Sequence, residues 1–194
     1  MTSKIYALCD FETLEKKGIS LEQFLAILKD LDIVYIQYRD KLSDIQAQKS
    51  NLLYLKQNTN IPIIVNDKFE LLDFVDGLHL GQEDIDNLQK NIFKLQTRKL
   101  VFKLLRKRYP NKIFGLSTHN EIEILEANNL PLDYIGLGAY RATNTKDVKN
   151  ILGDRISYLA KISTHPVGAI GGVRIDDKIE NISYNVIGSG LLNL

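Results

Sequence analysis

Eight short, nearly uninterrupted apolar runs recur along this chain with helical patterns between them, and that alternation restricts the fold more than any other feature. A strand buried on both faces of a parallel sheet reads as such a run, because neither face tolerates the polar residues that a half-solvated strand shows at every second position. The runs fall at Ile5–Cys9, Ile33–Tyr38, Ile61–Val65, Gly77–Leu80, Ile113–Leu116, Tyr134–Leu137, Val167–Ile170 and Asn185–Ile187. Helical patterns occupy Leu21–Leu28, Ile45–Leu55, Glu70–Phe74, Leu88–Arg108, Glu121–Ala127 and Val148–Ala160. Strict strand–helix alternation over eight strands predicts a (β/α)8 barrel, the TIM-barrel architecture. An open doubly wound sheet is the alternative pattern.

At 194 residues the chain is short for such a barrel and is expected to be a single domain, residues 1–194. The shortage lies at the end, where seven residues after Ile187 are too few for an eighth helix. The C-terminal helix is therefore expected to be missing, with either a partner copy of the chain covering the last strand in a homo-oligomer or an outer wall open there. Lys and Arg total 25 against 24 Asp and Glu, a balance that argues against nucleic acid or a polybasic membrane contact as partner. One cysteine, Cys9, allows no internal disulfide, and with neither a signal-peptide pattern nor an apolar run of membrane-spanning length the expected location is cytoplasmic. Cys9 itself reads as a small buried apolar residue rather than a nucleophile.

In a parallel barrel the loops after the C-terminal strand ends share one face, so polar residues there belong together however far apart they lie in sequence. Gln37, Arg39 and Lys41 end the second run, Asn66 and Asp67 the third, and His79, Gln82, Glu83 and Asp84 the fourth. Ser117, Thr118 and His119 end the fifth, Thr143, Thr145 and Lys146 follow the sixth, Gly171 and Gly172 the seventh, and Gly188 and Ser189 the eighth. Three cations with three hydroxyls (Ser117, Thr143, Thr145) suit a di- or triphosphate. Asp67 and Asp84 offer hard oxygen ligands to Mg2+, which commonly takes one or two carboxylates plus substrate phosphates. The glycine pairs let backbone N–H groups approach a second anion.

Each of these residues has a plainer reading. Arg39 and Lys41 can be solvated cations paired with Asp40 or Asp44, and Asp67 can cap the next helix. His79 can be a hydrogen-bonded core residue, although its alternation with Leu78 and Leu80 turns it toward the barrel interior, where Gln37 and Asn66 can join it around a nitrogen heterocycle. The stretch 88–112 holds nine Lys and Arg and no Asp or Glu. Leu88, Ile92, Leu95, Phe102 and Leu105 lie at mostly helical spacing, so a helix with one buried and one solvated basic face is expected, with a nucleic-acid or acidic-partner surface as the sharper alternative.

Taken in order, IPIIVNDKFELL, DGLHLGQED, GLSTHN, LDYIGLGAYRATNTK and PVGAIGGV resemble the thiamine phosphate synthase family, and the resemblance extends from IQYRDK at 36–41 to NVIGSG at 185–190. It implies a (β/α)8 transferase that joins hydroxymethylpyrimidine diphosphate to thiazole phosphate and releases pyrophosphate. By position, Gln37, Arg39, Lys41, Asn66, Ser117 and Lys146 match that family's pyrimidine-diphosphate contacts, and Asp67 and Asp84 its Mg2+ ligands. Thr143–Thr145, Gly172, Ile187 and Gly188 match its thiazole-phosphate contacts. Arg39, Lys41 and Lys146 would then neutralise the leaving pyrophosphate, while His79 helps to hold the pyrimidine.

Three features depart from the family pattern. A Gly-Pro-aromatic loop reads Gly138-Ala139-Tyr140-Arg141 here, the basic connection is long, and the last helix is short of residues. Two other functions therefore stand beside the synthase. One is the related thiazole tautomerase, with His119 as acid or base; the other is a non-catalytic thiazole-phosphate-binding or assembly protein.

Overall fold

The computed structural model describes residues 4–142 and 151–193. Eight parallel strands close on themselves in sequence order: β1 Lys4–Asp10, β2 Ile33–Arg39, β3 Ile63–Asn66, β4 Gly77–Leu80, β5 Ile113–Thr118, β6 Tyr134–Gly138, β7 Val167–Ile170 and β8 Tyr184–Ile187. The closing seam pairs Ile5 with Asn185 and Ala7 with Ile187. The open doubly wound alternative is thereby excluded.

The helices are α1 Phe11–Lys17, α2 Leu21–Leu28, α3 Ile45–Asn58, α4 Gln82–Asn87, α5 Arg98–Arg108, α6 Glu121–Ala127 and α7 Arg155–Ile162. Local chemistry sets many of their starts. Asp10 accepts from the Thr13 amide, Ser20 and Gln23 form a reciprocal capping box, and Asp44, Thr97 and Asn120 cap α3, α5 and α6 through their side chains. The stretch Glu70–Phe74, expected as a helix, lies in a 3-10 turn over Phe69–Phe74.

Period-2 alternation along each strand divides the interior in two. Outward residues such as Ala7, Ile36, Val65, Leu78, Leu116 and Leu137 join the helices in the main core. Inward residues Tyr6, Ile64, Tyr134 and Val186 form a second cluster inside the barrel, flanked by Tyr35, Ile113, Ile170 and Tyr184.

The expectations for the basic connection are corrected. The predicted helix over Leu88–Arg108 is broken: a π-helical turn spans Leu88–Ile92, Lys94 takes a positive φ of 51°, and Thr97 opens α5 afresh. Ile92, expected on the buried face, is exposed, and the basic residues are not all solvated. Arg98 bonds Asp86 and Gln82, and Arg106 bonds Asp133. At the C-terminus the described residues form no eighth helix, as expected; Ser189–Asn193 make a 3-10 turn that buries Leu191 against β1 and α2. Most of the predicted Val148–Ala160 helix start lies outside the described residues; the helix found is α7. Among the described residues no helix is long and apolar enough to cross a membrane.

Candidate active site

Arg39, Asp67 and Asp84 lie at the C-terminal ends of three successive staves of the barrel. Arg39 ends β2, Asp67 follows β3 and Asp84 lies in the first turn of α4 after β4. Thr143, Thr145 and Lys146 fall outside the described residues.

Arg39 is not paired with Asp40 or Asp44. Its guanidinium forms an ion pair with Asp10 at the end of β1, its neighbour in the strand register. Asp10 is buried and also accepts from the Thr13 hydroxyl at 2.6 Å, so one carboxylate caps α1 and holds the arginine at the rim. Asp40 is occupied otherwise, by the Tyr38 hydroxyl at 2.7 Å and the amides of Leu42 and Ser43. Lys41 is exposed.

Asp67 is not a helix cap. It takes a left-handed φ of 62°, which aspartate tolerates better than most residues. Its amide is fixed to the His79 carbonyl at 2.9 Å. Its carboxylate accepts from the Asn66 side chain and from the Gly81 amide at 3.3 Å, and it meets the Asp84 carboxylate. Burial and that second carboxylate push the Asp67 pKa up to about 6. Two acids held together at such a cost form a donor set suited to a divalent cation, and the residues present fit Mg2+ with its remaining positions left to phosphate and water. The Asn66 amide, expected to join His79 around a heterocycle, donates to the Asp67 carboxylate here.

Below the rim, His79 points into the barrel as its alternation requires. Its Nδ1 lies 2.9 Å from the Tyr134 hydroxyl and its Nε2 lies 2.9 Å from Ser117 Oγ. The Tyr134 and Tyr6 hydroxyls are 2.7 Å apart, and Gln37 Nε2 donates to Tyr6 at 2.7 Å. Gln37, His79 and Ser117 are therefore linked, but through two tyrosines that sequence reasoning missed. The readable signal was glycine inside apolar strands. A Cβ on Gly115 would lie 2.1 Å from the Tyr134 ring, and one on Gly136 would lie 3.3 Å from the His79 ring.

On the opposite rim, Gly171 and Gly172 take φ of 86° and 65°, turning the chain after β7. Arg141 braces this turn, donating to the Gly172 carbonyl at 3.0 Å and making two bonds, 2.6 and 2.9 Å, to Asp177. Asn185 on β8 donates to the carbonyls of Arg174 and Asp177. The arginine that departs from the family loop thus works as a bracket for the glycine turn. Ile187 buries its side chain in the main core and can offer a ligand only backbone, whereas Gly188 is half-exposed. His119 is half-exposed, with Nδ1 2.9 Å from Glu123.

Comparison with known proteins gives the following. The family model described as thiamine monophosphate synthase matches residues 5–189. A thiamine-phosphate synthase of Persephonella marina is 34% identical over 181 residues, 89% of this chain and 78% of that protein. One from Vibrio campbellii is 35% identical over 148 residues, 73% of this chain and 66% of that protein. Among solved structures, a thiamine phosphate pyrophosphorylase of Pyrococcus furiosus superposes with a TM-score of 0.70 at 21% identity, covering 96% of this chain and 85% of that one.

Proposed function

The chain belongs to the thiamine monophosphate synthase family, and on that premise we infer that it is a transferase joining hydroxymethylpyrimidine diphosphate to thiazole phosphate, with thiamine phosphate and pyrophosphate as products. The observation that carries this reading is the facing pair Asp67 and Asp84, next to the strand that ends in Arg39, with Lys41 in the loop just beyond it. An isomerase or a carrier of one monophosphate has no use for so much opposed charge, whereas a metal-loaded diphosphate requires both signs.

In the reaction the bond between the pyrimidine methylene and the diphosphate oxygen breaks, and pyrophosphate leaves with the electron pair. The thiazole nitrogen then donates its lone pair to the methylene carbon, and no protein nucleophile takes part. Asp67 and Asp84 are the residues that would hold Mg2+, which supplies charge neutralisation on the departing oxygens. Arg39, anchored by Asp10, and Lys41 stabilise the same negative charge from the neighbouring strand, and Lys146 is assigned to join them from beyond β6. Gln37, His79 and Asn66 are assigned to the pyrimidine and its surroundings, and Ser117 to the diphosphate. Thr143, Thr145, Gly172 and the Ile187–Gly188 backbone are assigned to the thiazole phosphate. Holding both substrates by their anions at opposite sides of one mouth brings carbon and nitrogen into line. Small molecules are thus the partners this reading requires, and a single buried thiol suits a reducing cytoplasm.

The decisive experiment incubates purified protein with both substrates and MgCl2 and measures thiamine phosphate by thiochrome fluorescence. Product that disappears with chelator is expected. Isomerised thiazole phosphate without thiamine phosphate would select the tautomerase, and binding without turnover the carrier.

A further inference from the structure

Five side chains from five strands form one hydrogen-bonded row across the barrel interior: Gln37 on β2, Tyr6 on β1, Tyr134 on β6, His79 on β4 and Ser117 on β5. The two tyrosines belong to no substrate contact in the reading above. Tyr6 and Tyr134 are fully buried, and burial pushes both hydroxyls far above the ordinary tyrosine range, so each always has one hydrogen to give.

The direction of the row follows from its first member. Gln37 donates through its amide nitrogen, so the Tyr6 oxygen accepts there; a Tyr6 hydrogen with no acceptor would be costly in this buried row, which selects Tyr134 as the group that takes it. Tyr134, having accepted from Tyr6, gives its own hydrogen to Nδ1 of His79. A ring that accepts at Nδ1 carries its proton at Nε2, and Nε2 faces Ser117 Oγ. Ser117 therefore accepts from the histidine and keeps its own hydrogen for the mouth. In the opposite direction the serine would spend that hydrogen inward and face an anion with lone pairs alone.

We propose that Tyr6 and Tyr134 are positioning residues that hold His79 in its Nε2–H form and thereby orient the Ser117 hydroxyl as a donor toward the anionic oxygen of the diphosphate. The proposal rests on the synthase reading only for what Ser117 touches; the orientation itself is a property of the free protein. Room for the row is built in at Gly115, which admits the Tyr134 ring, and at Gly136, against which the His79 ring lies. The imidazole is further fixed by near-parallel stacking on Tyr134, with centroids 5.6 Å apart at 22°.

Two measurements test it. Long-range 15N–1H correlation spectra of 15N-histidine-labelled full-length protein, assigned with His119→Gln and His165→Gln, should show His79 as the neutral Nε2–H tautomer. A neutral Nδ1–H ring or an imidazolium would overturn the proposal, with no variant of the row needing to fold. The second is a kinetic cycle. Tyr134→Phe should lower kcat about tenfold, less than the full loss of an oxyanion donor, and should leave the kcat of Ser117→Ala unchanged. An equal loss in both backgrounds would make Tyr134 merely structural. Wild-type protein that forms no thiamine phosphate would defeat the synthase reading and leave the tautomer result standing.

Discussion

Replacing Asp67 by asparagine should stabilise the metal-free protein at neutral pH, although it alters the centre of the site. Burial and the facing Asp84 carboxylate raise the Asp67 pKa to about 6, from an ordinary aspartate value near 3.9. A difference of that size corresponds to about 3 kcal/mol; water screens part of it because Asp67 is only half-buried, which leaves ~1–2 kcal/mol. The sign follows from proton binding. The folded chain holds this proton more tightly than the unfolded chain does, so stability falls as pH rises from about 4 to about 6, and the cost is fully present above that. Asparagine keeps the left-handed φ of 62° accessible and retains an oxygen for the Gly81 amide. For a chain of this length the gain should appear as a Tm higher by roughly 2–8 °C in chelator at pH 7.5, shrinking to nothing near pH 4. Millimolar Mg2+ should then raise the wild-type Tm and leave the variant's unchanged. A variant less stable than wild type in chelator at pH 7.5, or an advantage independent of pH, would refute the argument that these carboxylates repel.

Three further outcomes are expected. Asp10→Asn retains a capping side chain for α1 but weakens the hold on Arg39, so kcat/KM for the diphosphate substrate should fall about tenfold in steady-state assays, with ~1–2 kcal/mol lost in urea unfolding. Gly172→Ala places a Cβ 2.7 Å from that of Arg141 at a φ of +65°, and should cost about 2 kcal/mol and raise KM for thiazole phosphate more than for the pyrimidine. Burial pushes the Cys9 thiol far above its ordinary range, so 5,5′-dithiobis(2-nitrobenzoate) should leave the native protein unmodified and titrate one thiol in guanidinium chloride.

The strand plan was legible because a parallel barrel buries both faces of each strand, and every predicted run overlaps an observed strand. Helix detail was less so. Periodicity cannot see that the backbone turns at Lys94, nor that Asp10 ends β1 and starts α1 in the same step. The rim carboxylates were readable from their place after β3 and β4, but the partner of Arg39 was not: sequence proximity suggested Asp40, whereas barrel geometry places Asp10 beside it. Asp10 and Arg39 are lateral neighbours 29 residues apart in the chain, so local charge pairing is a poor guide to who holds a rim cation.

The inner layer was hidden for a related reason. Tyr6 and Tyr134 sit in runs that score as apolar, and nothing local distinguishes a tyrosine that fills space from one that sets the direction of a hydrogen-bonded row. Their hydroxyls meet across 128 residues only because the seam between β1 and β8 closes the sheet. Once it closes, burial forbids any of these groups from going unpaired, since a lone hydroxyl there would cost about 1–3 kcal/mol. The row must therefore be continuous, and a continuous row ending at Ser117 has one direction for each orientation of the Gln37 amide. The hydroxyl that Ser117 presents to the mouth thus inherits its direction from an amide on the far side of the barrel.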